Sequence, residues 1–404
     1  MRLLSIITIA IVLVISSCTP KPELKTGSWR GLIEEQGKKL PFTFDVVTDS
    51  SGKKNIYLKN AGEKILLDEI IYDGDSMIIT LHIFDSELKA KLLNDHLTGF
   101  FIKNYEKDYR LPFRASFGED FRFVKNNGEG VRDFSGKYSA TFIHKSDTTL
   151  AVGIFKQNGN HAEGTFLTTT GDYRYLEGNV IHDTLRLSTF DGNHAYLFSA
   201  VEKDDHTLQG DYWSGKSWHE TWTAVKNDSA ALPDAGSLTH LKEGYDRIDF
   251  SFPDVAGKII HPTDEKYKNK VLIVQLFGTW CPNCMDETKF LAPWYKQNKK
   301  RGIEIIGLAY ERKNDFDYAR GRVQKMKTKL SVEYDFVIAG TSDKAKASET
   351  LPMLNGVMAF PTTIFIGKDG KVKKIHTGFS GPGTGVYYDR FIQDFNETVN
   401  ELLK

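Results

Sequence analysis

Residues 271–284 read Val-Leu-Ile-Val-Gln-Leu-Phe-Gly-Thr-Trp-Cys-Pro-Asn-Cys. The first seven form an apolar run of strand length, and the last four bring two cysteines three residues apart at its end. Cys281 thus falls where a buried strand hands over to a helix, with Cys284 one turn further in. A thiol in that position meets unpaired backbone N–H groups and the positive end of the helix dipole, which both favour the thiolate. Such sites lower a cysteine pKa from ~8.5 to between about 3.5 and 7.5, and the thiolate is the form that attacks disulfides. Cys284 lies on the same helix face, close enough to close a small ring and release a mixed disulfide. The stretch reads as a dithiol/disulfide exchange site.

Downstream the texture stays mixed. A helix is expected to run from the cysteines to about residue 299, followed by a strand at 303–308 and a second helix over 315–329. Then come an extended stretch at 334–338, a short helix at 344–351 and a strand at 362–366. The turn Lys368-Asp369-Gly370 leads into a strand at 372–376, and a closing helix covers 387–403. The β-α-β start and the Lys-Asp-Gly hairpin define an α/β unit.

With these residues in place, the segment 247–404 resembles the thioredoxin-fold thiol–disulfide oxidoreductases typified by TlpA and ResA. Trp280-Cys-Pro-Asn-Cys284 matches the redox pair, Glu287 stands where that family keeps an acid near the second cysteine, and Phe360-Pro361-Thr362 matches the loop whose proline is cis and faces the cysteines. The long insertion before that loop, residues 311–359, also fits. The resemblance implies that Cys281 attacks, that Cys284 resolves, and that the two form a reversible Cys281–Cys284 disulfide. Glu287, another three residues along the helix, would accept the resolving thiol's proton directly or through water. Trp280, Pro282, Phe360, Pro361 and Thr362 are the expected client-binding residues, with the backbone at 360 free to pair with an extended substrate strand. No bound cofactor is expected.

Two positions depart from the pattern. Gln275 occupies the central-strand position where thioredoxin proper keeps a buried aspartate, which leaves Glu287 as the proton handler. Lys289 replaces a helix-kinking proline, and Pro293 follows a turn later, so the kink should move. A zinc site in place of the redox pair would need four ligands, and neither a second C-x-x-C nor a suitably spaced histidine pair accompanies this one. His261 and His376 read as surface or strand residues, so no metal is expected. A permanent disulfide closing so short a ring would constrain little of the unfolded chain. Gly381-Pro-Gly-Thr-Gly385 lacks the Lys-Ser/Thr of a phosphate loop and reads as a plain loop.

Upstream, two stretches of similar size resemble each other. One runs from Gly27 to Asn126 and the other from Gly136 to Asn227. Asp75-Ser-Met-Ile-Ile-Thr in the first matches Asp183-Thr-Leu-Arg-Leu-Ser in the second, and Leu97-Thr-Gly matches Leu208-Gln-Gly. Both alternate apolar and polar residues in short runs, with Gly, Asn and Asp turns about every ten residues. This is an internal duplication of all-β structure, forming two small barrels or one larger barrel or sandwich. The expected units are therefore β repeats at 26–126 and 131–227, a linker at 228–246 and the α/β unit at 247–404, making a multidomain chain. Trp29, Trp213, Trp218 and Trp222 are expected mainly in the β core, with the stretch 212–218 as a possible pocket or partner surface.

The 404 residues exceed one ordinary core, and 53 basic against 53 acidic side chains leave no strong field to attract nucleic acid. Three cysteines exclude a disulfide-stapled scaffold. The third, Cys18, ends an apolar N-terminal run too short to span a bilayer. Ile15-Ser-Ser-Cys18 resembles the lipobox of bacterial lipoproteins, which implies a signal peptide at 1–17, a lipid anchor on Cys18, a tether at 18–25 and a periplasmic or cell-envelope location. Disulfides persist there. The expectation is a membrane-anchored thiol–disulfide oxidoreductase that reduces client protein disulfides with electrons from a membrane thiol donor. A disulfide oxidase or isomerase is an alternative, as is an envelope adaptor in which the β region is the functional part and the redox unit a switch.

Overall fold

The computed structural model describes residues 23–125, 132–204 and 206–404. The signal segment, Cys18 and the 126–130 spacer lie outside them. The chain forms two antiparallel β units followed by an α/β unit, in agreement with the sequence reading.

In the first unit nine strands follow one another as a meander, and the first, Gly27–Glu35, also pairs with the last, Arg110–Phe117. The sheet wraps around a core containing Trp29, Phe42, Phe44, Phe101 and Phe113, built from the alternating inward positions of its strands. It remains open at one seam, between Glu63–Leu67 and Ile70–Asp73.

The second unit closes completely. Gly136–His144 pairs with Asp147–Asn158 on one side and Trp218–Lys226 on the other, while His161–Thr168 pairs with both Asp147–Asn158 and Leu176–Ile181. Closure removes the sheet edges. The interior is packed with rings, among them Phe142, Phe166, Phe198 and Trp222. Gly210 is obligatory here, because a Cβ would lie 2.2 Å from the Ser199 carbonyl oxygen.

The duplication is visible in the matching first strands, which both start at a positive-φ glycine, Gly27 and Gly136. The ends diverge. Residues 224–226 lie in the last strand of the second barrel, whereas 123–125 follow the first barrel's last strand as a loop. That loop is drawn between the barrels by the buried Arg122, which donates to the Pro41 carbonyl (3.2 Å) and pairs with Glu177 (2.9 Å). Phe190 of the second barrel reaches into the first, 4.6 Å from Phe42 and 5.0 Å from Phe101 by ring centroid. Burying such a side chain contributes about 1.5–3 kcal/mol to holding the units together.

The third unit is a five-stranded sheet in the order Asp335–Thr341, Ile303–Glu311, Val271–Phe277, Thr362–Ile366, Val372–Thr377. The first three strands are parallel and the last two antiparallel. Val271–Phe277, buried along its whole length, is central. Helix α1 (Pro282–Asn298) follows it, then α2 (Phe316–Lys329), α3 (Lys344–Thr350) and α4 (Val386–Leu403). Phe290 and Trp294 of α1 pack edge-on against Phe395 of α4. Pro293 sits inside α1, where its missing N–H removes one intrahelical bond.

The β units dock onto this domain. Lys325 and Lys329 of α2 pair with Glu69 (both 2.9 Å), and Lys329 also with Asp68 (2.5 Å), at the open seam of the first barrel. Ile83 and Phe84 of that barrel belong to the core of the α/β unit. The stretch 228–246 is packed as well: Ala230 is buried against Val152 and Leu167, and the Thr239 N–H donates to Thr377 (3.2 Å).

Candidate active site

The site is assembled at the end of the central strand. Gly278 lets the chain turn, since a Cβ there would meet the Trp280 indole nitrogen at 2.2 Å. Thr279 is fixed by Glu311, which accepts from its N–H (2.9 Å) and its hydroxyl (2.8 Å). Trp280 donates to the Tyr310 carbonyl (2.8 Å), and the Arg312 guanidinium lies 3.9 Å from its ring. Cys281 then has extended backbone and caps α1, its sulfur accepting the Cys284 N–H at 3.2 Å. Pro282 occupies the first helical turn, where a missing N–H costs nothing. A negative sulfur at this cap gains a charge-assisted hydrogen bond and the favourable end of the helix dipole.

Cys281 is 6 % exposed and Cys284 fully buried, and both are free thiols. The Cys281 thiol donates to the Phe360 carbonyl (3.6 Å), in the loop where the Phe360–Pro361 bond is cis. Burial, the hydrogen bond with Cys281, and the neighbouring charges of Cys281 and Glu287 push the Cys284 thiol well above its usual range. It therefore needs a base in order to attack.

Glu287 lies one helical turn beyond Cys284 on α1. It is 0 % exposed, and burial raises its pKa to about 7. Thr363 donates to one oxygen (2.6 Å) and Gln275 to the other (2.7 Å), and both bonds oppose the rise. Gln275, at the central-strand position, thus holds the Glu287 carboxyl in place. A carboxyl that titrates near neutrality while touching no water is suited to proton transfer.

Of the expected client-binding residues, Trp280, Pro282 and Phe360 line a cavity of about 350 Å³ over Cys281. Thr362 does not line that cavity: it is fully buried and its hydroxyl donates to the Ala359 carbonyl (2.9 Å). Pro361 is buried beside it, its carbonyl accepting the Gly378 N–H (2.9 Å).

Several site residues gave no signal in the sequence. Arg174 of the second barrel, 2 % exposed, donates to the Pro282 carbonyl (2.9 Å) and pairs with Asp286 of α1, Glu63 of the first barrel and Asp191 of the second. All three units meet at this one guanidinium. Burial opposes its charge, but Asp286, Glu63, Asp191 and Asp172 together hold its pKa above the ordinary value. One cation cannot satisfy four acids, and burial leaves Asp286 and Asp172 each raised to about 6. Asn193 donates to the Trp280 carbonyl (2.9 Å), and Asn283 to the Asp172 carbonyl (3.1 Å). Gly171 permits that approach, since a Cβ would stand 2.7 Å from the Asn283 amide nitrogen. Glu311 had a visible cue, a charge closing a strand whose one other charge is Glu304. Arg174 and Asn193 had none, because no local pattern links them to residue 281.

Fold and site together define a thiol–disulfide oxidoreductase of the thioredoxin superfamily. A Redoxin family model matches residues 242–388. The thiol–disulfide oxidoreductase ResA of Geobacillus thermodenitrificans is 30 % identical over 140 residues, which cover 35 % of this chain and 72 % of that protein. The ResA of Bacillus subtilis is 28 % identical over 138 residues, covering 34 % and 69 %. The crystal structure of a putative thiol:disulfide interchange protein DsbE from Chlorobium tepidum aligns over 40 % of this chain and 99 % of its own, at 18 % identity and a TM-score of 0.31. The chain belongs to the ResA family of thiol–disulfide oxidoreductases.

Proposed function

We propose that the protein is an extracytoplasmic reductase of protein disulfides, anchored to a membrane through lipid on Cys18 and recharged by a membrane thiol donor. The arrangement of one marginally open thiol over a sealed one, with Glu287 titrating near neutrality, supports this reading. In each turnover the Cys281 thiolate attacks a client sulfur, forming a mixed disulfide and expelling the client's other sulfur, which takes up a proton. Cys284 then passes its proton to Glu287 and attacks Cys281. The client's second sulfur leaves and is protonated, and the enzyme ends as the Cys281–Cys284 disulfide. Two electrons have moved to the client, and two from the donor restore the dithiol. The direction rests on the potential of the pair relative to donor and client.

The test is a trap. Cys284→Ser in the host cell should accumulate clients bound through Cys281, with Cys281→Ser as control. Equal captures by the two variants would sink the protein-client reading. Loss of membrane association in Cys18→Ala would support the anchor, and unchanged association would remove it.

A further inference from the structure

The cavity over Cys281 is only half built by the redox domain. Its other wall is the mouth of the second barrel, with Tyr173, Tyr196, Tyr212, Trp218 and Glu220. The three tyrosines stand edge-on to one another at centroid distances of 5.4–5.5 Å. Trp218, expected in the core, is 46 % exposed and stacks on His144 at 4.0 Å. It is the first residue of the barrel's last strand, beside the hairpin that joins it to Thr207–Ser214. Its indole N–H donates to one oxygen of Glu220 (3.1 Å); the other accepts no hydrogen bond from the described residues.

The charge of this chamber is one-sided. Two carboxylates, Asp172 and Glu220, line it, together with His194 and no lysine or arginine. The Asp172 oxygens are engaged by the N–H groups of Gly381 and Arg174 (both 2.6 Å), so Glu220 is the one with a free acceptor. His194 is turned to Asp191 at 3.1 Å. Aromatic faces beside a shielded carboxylate attract a cation, and the attraction strengthens as water is excluded. At about 350 Å³ the chamber sits at the small end of ligand pockets, roughly 300–1,000 Å³. Arg174 and Asn193 hold the barrel against the Cys-Pro-Asn-Cys loop, so a broad folded surface cannot reach the sulfur.

We propose that the mouth of the second barrel is the client-binding pocket, taking an extended peptide whose disulfide cysteine is flanked by a lysine or arginine seated between the Tyr–Trp wall and Glu220. This rests on the protein-disulfide reading above and names the substrate class within it.

The experiment uses the full chain and three disulfide-containing peptides identical except for Lys, Ala or Glu next to the attacked cysteine. Rates are normalised to reduction of each peptide by dithiothreitol, which removes intrinsic differences in the disulfides. The Lys peptide should exceed the Glu peptide by about tenfold in kcat/KM, as one partly desolvated cation contact supplies. In E220Q that ratio should fall below about threefold. Because the ratio is internal to one protein, a partly unfolded variant would lower both rates without changing it. Equal rates for the three peptides with the native chain, or an unchanged ratio in E220Q, would overturn the proposal. Hydroxyethyl disulfide separates the two readings: its reduction alongside indifferent peptides removes only the pocket, whereas failure with every disulfide removes the reductase reading and the pocket with it.

Discussion

Replacing Glu287 with Gln should slow the second chemical step selectively. The carboxyl is sealed from water, and its pKa of about 7 against 4.5 in the unperturbed group reflects a penalty of about 3 kcal/mol on the ionised form. At pH 7 it is therefore about half ionised and well matched to accept a proton. Cys284 is held protonated by burial and by its hydrogen bond with Cys281. Loss of a positioned base costs about 10²–10⁴-fold. Glutamine keeps the shape, and the Gln275 amide can rotate to meet it, at the cost of its weak pairing with Thr288 (3.3 and 3.4 Å). In single-turnover mixing of reduced protein with a disulfide peptide, acid quenching and alkylation separate mixed disulfide from the intramolecular one. The native protein should resolve with a rate that rises through about pH 7, as Glu287 ionises. E287Q should accumulate mixed disulfide, resolve about a hundredfold more slowly at pH 7, and lack the inflection. Thr363→Val removes a bond that lowers the Glu287 pKa, so its inflection should move upward. Resolution in E287Q within twofold of native, with the same pH profile, would refute the assignment.

Two further predictions concern the assembly. Glu35, at the contact between the barrels, accepts the Gly215 N–H (2.8 Å), and burial raises its pKa to about 8 from 4.5. The folded chain keeps that proton where the unfolded chain has released it, so the group's stabilisation is present in acid and is lost as pH rises toward 8. Glu35→Gln should flatten the fall in stability between pH 5.5 and 7.5 by about 2–3 kcal/mol, measured by urea unfolding at both pH values; an unaltered slope would remove Glu35 as its source. Arg174→Ala strands Asp286, Glu63 and Asp191 without their shared cation, and such losses cost about 3–5 kcal/mol. Thermal melts should drop, and limited proteolysis should cut between the second barrel and the redox domain. A native melting temperature would show that the network contributes little.

The candidate site residues around α1 were legible because local spacing encodes them. An apolar run ending in a C-x-x-C places one sulfur at a helix cap and the other a turn inside, and a further step of three puts Glu287 on the same face. Strand periodicity and recurring turns likewise announced a duplicated β region, and the chain's change of texture announced the α/β unit. What spacing cannot encode is which distant side chains close over a given residue. Glu287 is a sealed carboxyl only because Thr363, 76 residues away, and Gln275 close over it. Whether the repeats formed two barrels or one was likewise settled by pairing between distant strands, since alternation is the same in either case.

The sequence by itself determined the cysteine pair, the carboxyl a turn beyond it and the strand–helix junction that carries them, because each depends on neighbours within a turn or two. Only the tertiary structure decided what covers that junction. Arg174 and Asp286 are 112 residues apart in the chain, and ion pairs between separate units leave no periodic trace. The chamber over Cys281 exists because the second barrel closes on itself and turns its aromatic rim toward the sulfur, and closure is a property of the whole sheet.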